Sequence, residues 1–332
     1  MQPDEAERRP VPLLVVIKTA ADASFAQWRE ALTVAGAASG LPPLDIREWD
    51  SLWADPAGLP PEVPYAVVWA PQPGRLARLP GLRGVLSLFV GIDHILTDPG
   101  LSTGVPVVRM GGADAAQRMG EYVCLAALAL LRDLPRMIAQ QAARHWEEFS
   151  TRTAPETRIG MLGLGQLGAR ATEMLRGLGF DTAGWSTTRK HIAGVRNYAG
   201  PEELDALLAR SDILISLLPD TPATRGLISA RTLALLPRGA GFVNAGRGSL
   251  VVMPDLLAAL ESGQLGGAVL DVFPAEPLAA TDPAWSHPRL LVTPHIASTP
   301  SLAAQAAHVA AAIATLERGE MPAQRYDPAR GY

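Results

Sequence analysis

Residues 158–168 read Arg158-Ile159-Gly160-Met161-Leu162-Gly163-Leu164-Gly165-Gln166-Leu167-Gly168. A mostly apolar run leads without alternation into glycines spaced G-x-G-x-x-G, and a helical pattern over 166–178 follows. A strand of that kind belongs to a parallel sheet covered on both faces. Each glycine then serves a separate purpose. Gly163 allows a tight turn, Gly165 lets a pyrophosphate approach the backbone, and Gly168 lets the helix pack close to the strand. The helix start at Gln166 and Leu167 offers unpaired N–H groups and a positive dipole end to phosphates. The alternative is a glycine-rich turn that binds nothing, which would leave the entropic cost of three glycines without a use.

The same alternation extends in both directions. Towards the C-terminus, strands over 181–185, 212–218, 241–244, 267–272 and 290–293 are interleaved with helices over 201–210, 230–236 and 254–262. Repeated βα units predict a doubly wound parallel sheet. Towards the N-terminus, short strands over 13–19, 46–49, 66–70, 85–89 and 105–109 accompany a helix over 25–38 and a loop over 55–64 with four prolines. Residues 1–12 read as disordered. One long Ala- and Leu-rich helix over 115–144 lies between the two series, and a helix over 301–317 follows the second. A chain of 332 residues suggests two domains at roughly 100–200 residues each. The expected fold class is α/β, with two Rossmann-like doubly wound parallel-sheet domains and an active-site cleft between them. The substrate-binding domain is expected to be discontinuous, over 1–110 plus 298–332, and the dinucleotide-binding domain to span 111–297, with hinges near 110–112 and 297–300.

Composition narrows the function classes. Apolar residues make up 48% and charged residues 19%, enough for a buried core and unlike a disordered chain. A net charge of -4 gives no electrostatic footprint for nucleic acid or an anionic membrane. The longest apolar run, Tyr122 to Leu131, has ten residues, where a spanning helix needs about 20. The single cysteine, Cys124, lies inside that run and reads as a small buried side chain; one cysteine excludes a disulfide framework. The opening MQPDEAERRP is acidic and lacks an apolar segment, unlike a secretory leader. A cytoplasmic protein is expected.

Dinucleotide choice is read at the end of the second strand. Enzymes that use NAD usually place an acidic residue there for the ribose hydroxyls. Here Trp185 is followed by Ser186-Thr187-Thr188-Arg189-Lys190, with hydroxyls and two cations but no carboxylate. Such a set suits a 2′-phosphate and points to NADPH, with NAD as the alternative. The competing reading makes Arg189 and Lys190 solvated loop charges.

Reduction of a 2-keto acid needs a cation for the carboxylate and an acid for the oxygen. Arginine suits the first because its planar fork bonds both oxygens, and histidine suits the second because it titrates near neutrality. A carboxylate beside a histidine favours the charged ring and orients it. All three residue types occur at or just beyond the C-terminal ends of the later strands, where ligands bind in such sheets. They are Arg247 after GFVNAG, Glu276 after GGAVLDV, and His295 at the end of LLVTPH. The other histidines fit less well: His94 lies in the first domain, His145 ends a helix, His191 follows the basic cluster, His287 precedes its strand, and His308 sits mid-helix.

Taken together, FVGIDHIL, GMLGLGQLG, WSTTRK, LISLLPDTPATRGLI, FVNAGRGSL, AVLDVFPAEPL, VTPHIAS and the terminal RGY make the chain similar to the D-2-hydroxyacid dehydrogenases. Within them it most resembles the A-type glyoxylate/hydroxypyruvate reductases. The resemblance implies that Arg247 binds the substrate carboxylate and polarises the keto oxygen, that His295 is the general acid, and that Glu276 is its partner. It implies that the backbone at Val90, Gly91 and Ile92 also binds the carboxylate. Leu218, Pro219, Thr224, Ala245 and Asp271 would line the nicotinamide and its ribose, with Gly246 alongside; Asp271 could instead cap the turn after its strand. Glu276 argues against the formate dehydrogenases of this fold, which carry glutamine there. Gly246 replaces the alanine usual in the family, which would loosen the backbone of Arg247, and the hinge RMGGAD lacks the usual Asn-Thr-Pro. A homodimer formed through the 115–144 region is also implied, the alternative being an ordinary buried helix.

Trp49 and Trp69 could each face the substrate or fill the core, so the 2-keto acid is not ranked beyond the resemblance. A bulkier 2-keto acid is one alternative. A second is a dinucleotide-sensing corepressor of the same fold, which binds protein partners; a methyltransferase would explain neither the basic cluster nor the Arg–Glu–His set.

Overall fold

The computed structural model describes residues 13–18, 23–96, 98 and 100–328. The expectation for residues 1–12, the end of the first strand at residue 19 and the terminal RGY lie outside the described residues. The chain divides into two compact units, Met1–Asp114 with Pro300–Tyr332, and Ala115–Thr299. Each is an α/β unit built on a parallel sheet.

The first unit begins β1 (Leu13–Lys18), α1 (Phe25–Ala38), β2 (Leu44–Glu48), α2 (Trp49–Ala54), β3 (Tyr65–Val68), β4 (Gly84–Ser87), α3 (Asp93–Leu96) and β5 (Val107–Val108). The strands lie in the order β2-β1-β3-β4-β5, all parallel, so the winding reverses between β1 and β3. Every residue of β3 and β4 is buried, as continuous apolar strands require. Ser24 caps α1 with a reciprocal Gln27 bond, and Trp28 and Leu32 on its inner face join the core. The expected strand over 105–109 shrinks to two residues.

The second unit begins with α4 (Ala113–Leu131), which starts at the junction of the units, and α5 (Leu134–Ala143). It continues with β6 (Arg158–Leu162), α6 (Gln166–Gly177), β7 (Asp181–Ser186), β8 (Arg196–Ala199), α7 (Gly200–Arg210), β9 (Ile213–Ser216), α8 (Ala230–Ala234), β10 (Ala240–Asn244), α9 (Met253–Glu261), β11 (Leu265–Leu270) and β12 (Leu290–Val292). The final helix, α10 (Leu302–Glu317), belongs to the first unit, where it packs on α1. There Arg109 N and Tyr326 N bond to Gln324 O and Val107 O, so the segment after α10 pairs back beside β5.

The strand order in the second unit is β12-β11-β10-β9-β6-β7-β8, all parallel. The winding reverses between β6 and β9, and ligands bind beyond the carboxyl ends of strands at such a point. At the opposite end Asp212 ties β6 to β9. Its oxygens accept Arg158 N (2.9 Å), Nε (2.9 Å) and Nη2 (3.0 Å), with Arg152 Nη1 at 3.1 Å. Burial pushes the Asp212 carboxyl up, but those arginine contacts outweigh it and hold it at about 2.

Two expectations change here. The single helix over 115–144 is two helices, because Asp133 takes a left-handed conformation (φ +53°) and Pro135 in the first turn of α5 cannot donate back to the preceding helix. The strand β8, Arg-Asn-Tyr-Ala, was not expected; it lies at the sheet edge and has no apolar run to announce it. Among the described residues no helix is long and apolar enough to cross a membrane.

Candidate active site

The three glycines of the loop after β6 differ in what their surroundings permit. Gly163 has φ +99°, a conformation that favours glycine. A Cβ on Gly168 would run into the carbonyl oxygen of Gly163, so only glycine lets α6 start this close to its strand. A Cβ on Gly165 would meet nothing within 4 Å, and Gly165 and Gln166 are exposed. Open space thus lies before the first turn of a twelve-residue helix whose N-terminal N–H groups await acceptors. That arrangement fits a pyrophosphate.

At the end of β7, Ser186 is buried and its Oγ donates to Thr188 O (2.8 Å), closing the turn that presents Thr187, Arg189 and Lys190 to solvent. Arg189 is already oriented: Nη1 donates to Asn197 O (2.8 Å) and Nη2 to Glu203 (2.5 Å). Glu203 in turn accepts Ala199 N at 2.7 Å. Arg189 is therefore a held guanidinium with donors remaining, not a loose loop charge.

After β9, Leu218 is buried and Pro219 half-buried. The Thr224 hydroxyl folds this loop on itself, donating to Pro219 O (2.6 Å) and accepting Thr221 N (2.9 Å). After β10, Ala245 and Gly246 are buried, and the Asn244 side chain spans the turn. Its Oδ1 accepts Gly246 N (3.1 Å) and its Nδ2 donates to Arg247 O (2.9 Å). The turn before Arg247 is thus pinned on both sides, contrary to the loosening expected of a glycine. A Cβ on Gly246 would stand 2.6 Å from Leu218 O, so glycine lets these two loops approach. Arg247 Nη1 donates to Gly246 O at 2.7 Å, which orients the guanidinium.

The last pair of strands carries Asp271, Glu276 and His295. His295 has φ +55°, a rare backbone state for a non-glycine residue that costs on the order of 1–3 kcal/mol. Asp271, 1% exposed, supports it. Its carbonyl accepts His295 N (2.9 Å), Oδ1 accepts Ile296 N (2.9 Å) and Oδ2 accepts Ala297 N (2.9 Å). The turn these bonds hold is the one after β12, not the turn after Asp271's own strand. His295 Nδ1 donates to Glu276 Oε2 at 2.7 Å, while Glu276 Oε1 accepts Phe273 N at 2.8 Å. Burial raises the Glu276 carboxyl, but the His295 bond, the Phe273 amide and the charge of Arg247 together bring it below its ordinary value. Glu276 is thus an anion at neutral pH with its histidine partner fixed, and Nε2 is the ring nitrogen turned away from the pair. The charge of Arg247 lowers the carboxyls of both Asp220 and Glu276.

In the first unit, Ser87 Oγ bridges Phe89 N (3.1 Å) and Gly91 O (3.4 Å), fixing the loop that carries Val90, Gly91 and Ile92. Trp69 is half-buried against Phe89, with ring centroids 4.1 Å apart, beside that loop. Trp49 is fully buried with Nε1 donating to Gln72 (2.8 Å), so it is a core residue. Of the remaining histidines, His308 bonds Arg109 O (2.9 Å) and burial lowers its pKa. Cys124 is half-buried, and burial pushes its thiol up.

Asn244, Thr293 and Tyr122 received no role from the sequence, although Asn244 and Thr293 lie inside stretches that carried the resemblance. A polar side chain two or three residues before His295 or Arg247 was the available signal. Tyr122 had none beyond a hydroxyl in an apolar run.

Residues 124–297 match the family model for the D-isomer specific 2-hydroxyacid dehydrogenase, NAD binding domain. A D-isomer specific 2-hydroxyacid dehydrogenase from Xanthobacter autotrophicus Py2, solved with NADPH and MES, is 40% identical over 97% of this chain and 100% of that one, with a TM-score of 0.88. An NADPH-dependent glyoxylate/hydroxypyruvate reductase from Sinorhizobium meliloti, solved with NADP and sulfate, is 36% identical over 97% and 99%, with a TM-score of 0.83. A probable 2-hydroxyacid dehydrogenase from Rhizobium etli CFN 42, solved with NADP, HEPES and L(+)-tartaric acid, is 35% identical over 97% and 99%, also with a TM-score of 0.83.

Proposed function

The chain belongs to the D-isomer specific 2-hydroxyacid dehydrogenase family, and we propose that it reduces a small 2-keto acid, glyoxylate or hydroxypyruvate, to the D-2-hydroxy acid with NADPH. The observation that carries this reading is the 2.7 Å Glu276–His295 pair on a left-handed turn that Asp271 holds.

Arg247 takes the substrate carboxylate through two parallel N–H bonds and polarises the keto oxygen. Val90, Gly91 and Ile92 of the first unit are the further carboxylate-binding candidates that the family resemblance names. His295, protonated at both ring nitrogens, gives the Nε2 proton to the carbonyl oxygen while Nδ1–H stays on Glu276. The ionised Glu276 stabilises the charged ring before the transfer, and water then restores the lost proton. NADPH, when bound, supplies the hydride for the carbonyl carbon.

The loop of Gly163, Gly165, Gln166, Leu167 and Gly168 would hold the pyrophosphate. Ser186, Thr187, Arg189 and Lys190 would hold the 2′-phosphate, since the segment that follows β7 carries hydroxyls and cations and no acidic residue through Lys190. Leu218, Pro219, Thr224, Ala245, Gly246 and Asp271 would border the nicotinamide and its ribose. The NADP-bound relatives support this assignment. We expect kcat/KM with NADPH to exceed that with NADH; a ratio at or below one would refute the assignment of Arg189 and Lys190.

We also propose a homodimer through α4 and α5. They leave Leu125 (64% exposed), Ile138 (47%) and, just beyond them, Trp146 (90%) uncovered in the single chain. Light scattering should give twice the chain mass, and a monomer at micromolar concentration would contradict it.

A further inference from the structure

The support beneath His295 extends beyond Asp271. Asp271 Oδ1 accepts not only Ile296 N but also Thr293 Oγ1, at 2.6 Å. A threonine hydroxyl has one proton, and here it goes to the carboxylate. The Tyr122 hydroxyl lies 2.7 Å from the same Thr293 oxygen, so Tyr122 must be the donor of that bond. The result is a directed chain, Tyr122 to Thr293 to Asp271, anchored in the long helix α4 and ending on the carboxylate that fixes the amides of Ile296 and Ala297. Tyr122 packs against the second unit's core, so the donor has a fixed origin. Burial pushes the Tyr122 phenol above its ordinary value, so it keeps its proton at every pH at which the enzyme would be assayed.

We propose that Tyr122 is a positioning residue for the reaction: through Thr293 and Asp271 it holds the left-handed turn that aims His295. Asp271 carries two backbone amides on separate oxygens, and its rotamer must satisfy both while its carbonyl accepts His295 N. Thr293 fixes the rotamer from the side, and Tyr122 fixes the Thr293 hydroxyl. Losing the terminal donor leaves the Thr293 hydroxyl held only by Asp271, and the misplacement passes to the ring of His295. The proposal rests on His295 acting as the acid, so its test needs one readout that does not use turnover.

Tyr122→Phe keeps the ring and removes only the hydroxyl. We expect kcat for keto-acid reduction to fall about tenfold, as small misplacements of reacting groups do, with KM for NADPH nearly unchanged. Thr293→Val should fall at least as far, and Thr293→Ser should restore activity. The double variant Tyr122→Phe/Thr293→Val should be no worse than Thr293→Val alone, because the two groups act in series. Independently, amide hydrogen exchange at His295, Ile296 and Ala297 should accelerate about tenfold in Tyr122→Phe, while amides of β6 and β9 stay protected. A Tyr122→Phe enzyme with wild-type kcat, or a double variant whose losses multiply, overturns the proposal. Should the wild type turn over no keto acid, the functional reading falls, and exchange decides the relay: faster exchange at the three amides supports it and unchanged exchange overturns it.

Discussion

His295→Ala will lower kcat for keto-acid reduction by about 10²–10⁴-fold while leaving NADPH affinity nearly unchanged. The size follows from what the residue does. Without Nε2–H the alkoxide that forms on hydride addition must take its proton from water, and the gain from a positioned acid is lost. Affinity is spared because the elements proposed to hold the pyrophosphate and the 2′-phosphate, the loop after β6 and the turn after β7, do not include His295. Steady-state kinetics with fluorescence titration of NADPH separates the two quantities. Activity within a few-fold of wild type would show that another group is the acid. Glu276→Gln should give a smaller loss, because the amide can still accept the Nδ1–H bond that orients the ring but no longer carries the charge that stabilises a protonated donor.

The second large effect is expected at Arg247. Arg247→Ala should lower kcat/KM by about 10²–10³-fold through the loss of a preorganised donor and charge at the carboxylate and keto oxygen. Arg247→Lys keeps the charge and loses the planar fork, so it should recover only part of the activity. The turn that presents the arginine is held on both sides by Asn244 through main-chain groups that both changes leave in place, so the fold should survive them. Circular dichroism and NADPH binding would verify that, and an Arg247→Lys variant indistinguishable from wild type would refute bidentate recognition.

Much of this was legible in the amino-acid order because it depends on local rules. The glycines after β6 declare a turn, an approach and a close packing by spacing alone, and the geometry gives each a separate reason. Arg247, Glu276 and His295 follow apolar strands, and parallel topology gathers strand ends on one side of a sheet. What was not legible depends on tertiary contact. The helix over 115–144 breaks because one residue, Asp133, turns left-handed before Pro135, a choice that composition does not force. The edge strand β8 has no apolar pattern of its own. The hydroxyls of Thr224 and Ser186 bond to carbonyls of their own loops, contacts that the order of residues does not announce. Tyr122 and Thr293 are 171 positions apart, and only the folded sheet brings their hydroxyls together.

The most direct test of the central claim is the oxidation of NADPH by the purified protein across a panel of 2-keto acids, with NADH run in parallel. The account predicts turnover on glyoxylate or hydroxypyruvate, faster with NADPH than with NADH. Tight NADPH binding with no turnover on any 2-keto acid would contradict it and point to a dinucleotide-sensing protein instead.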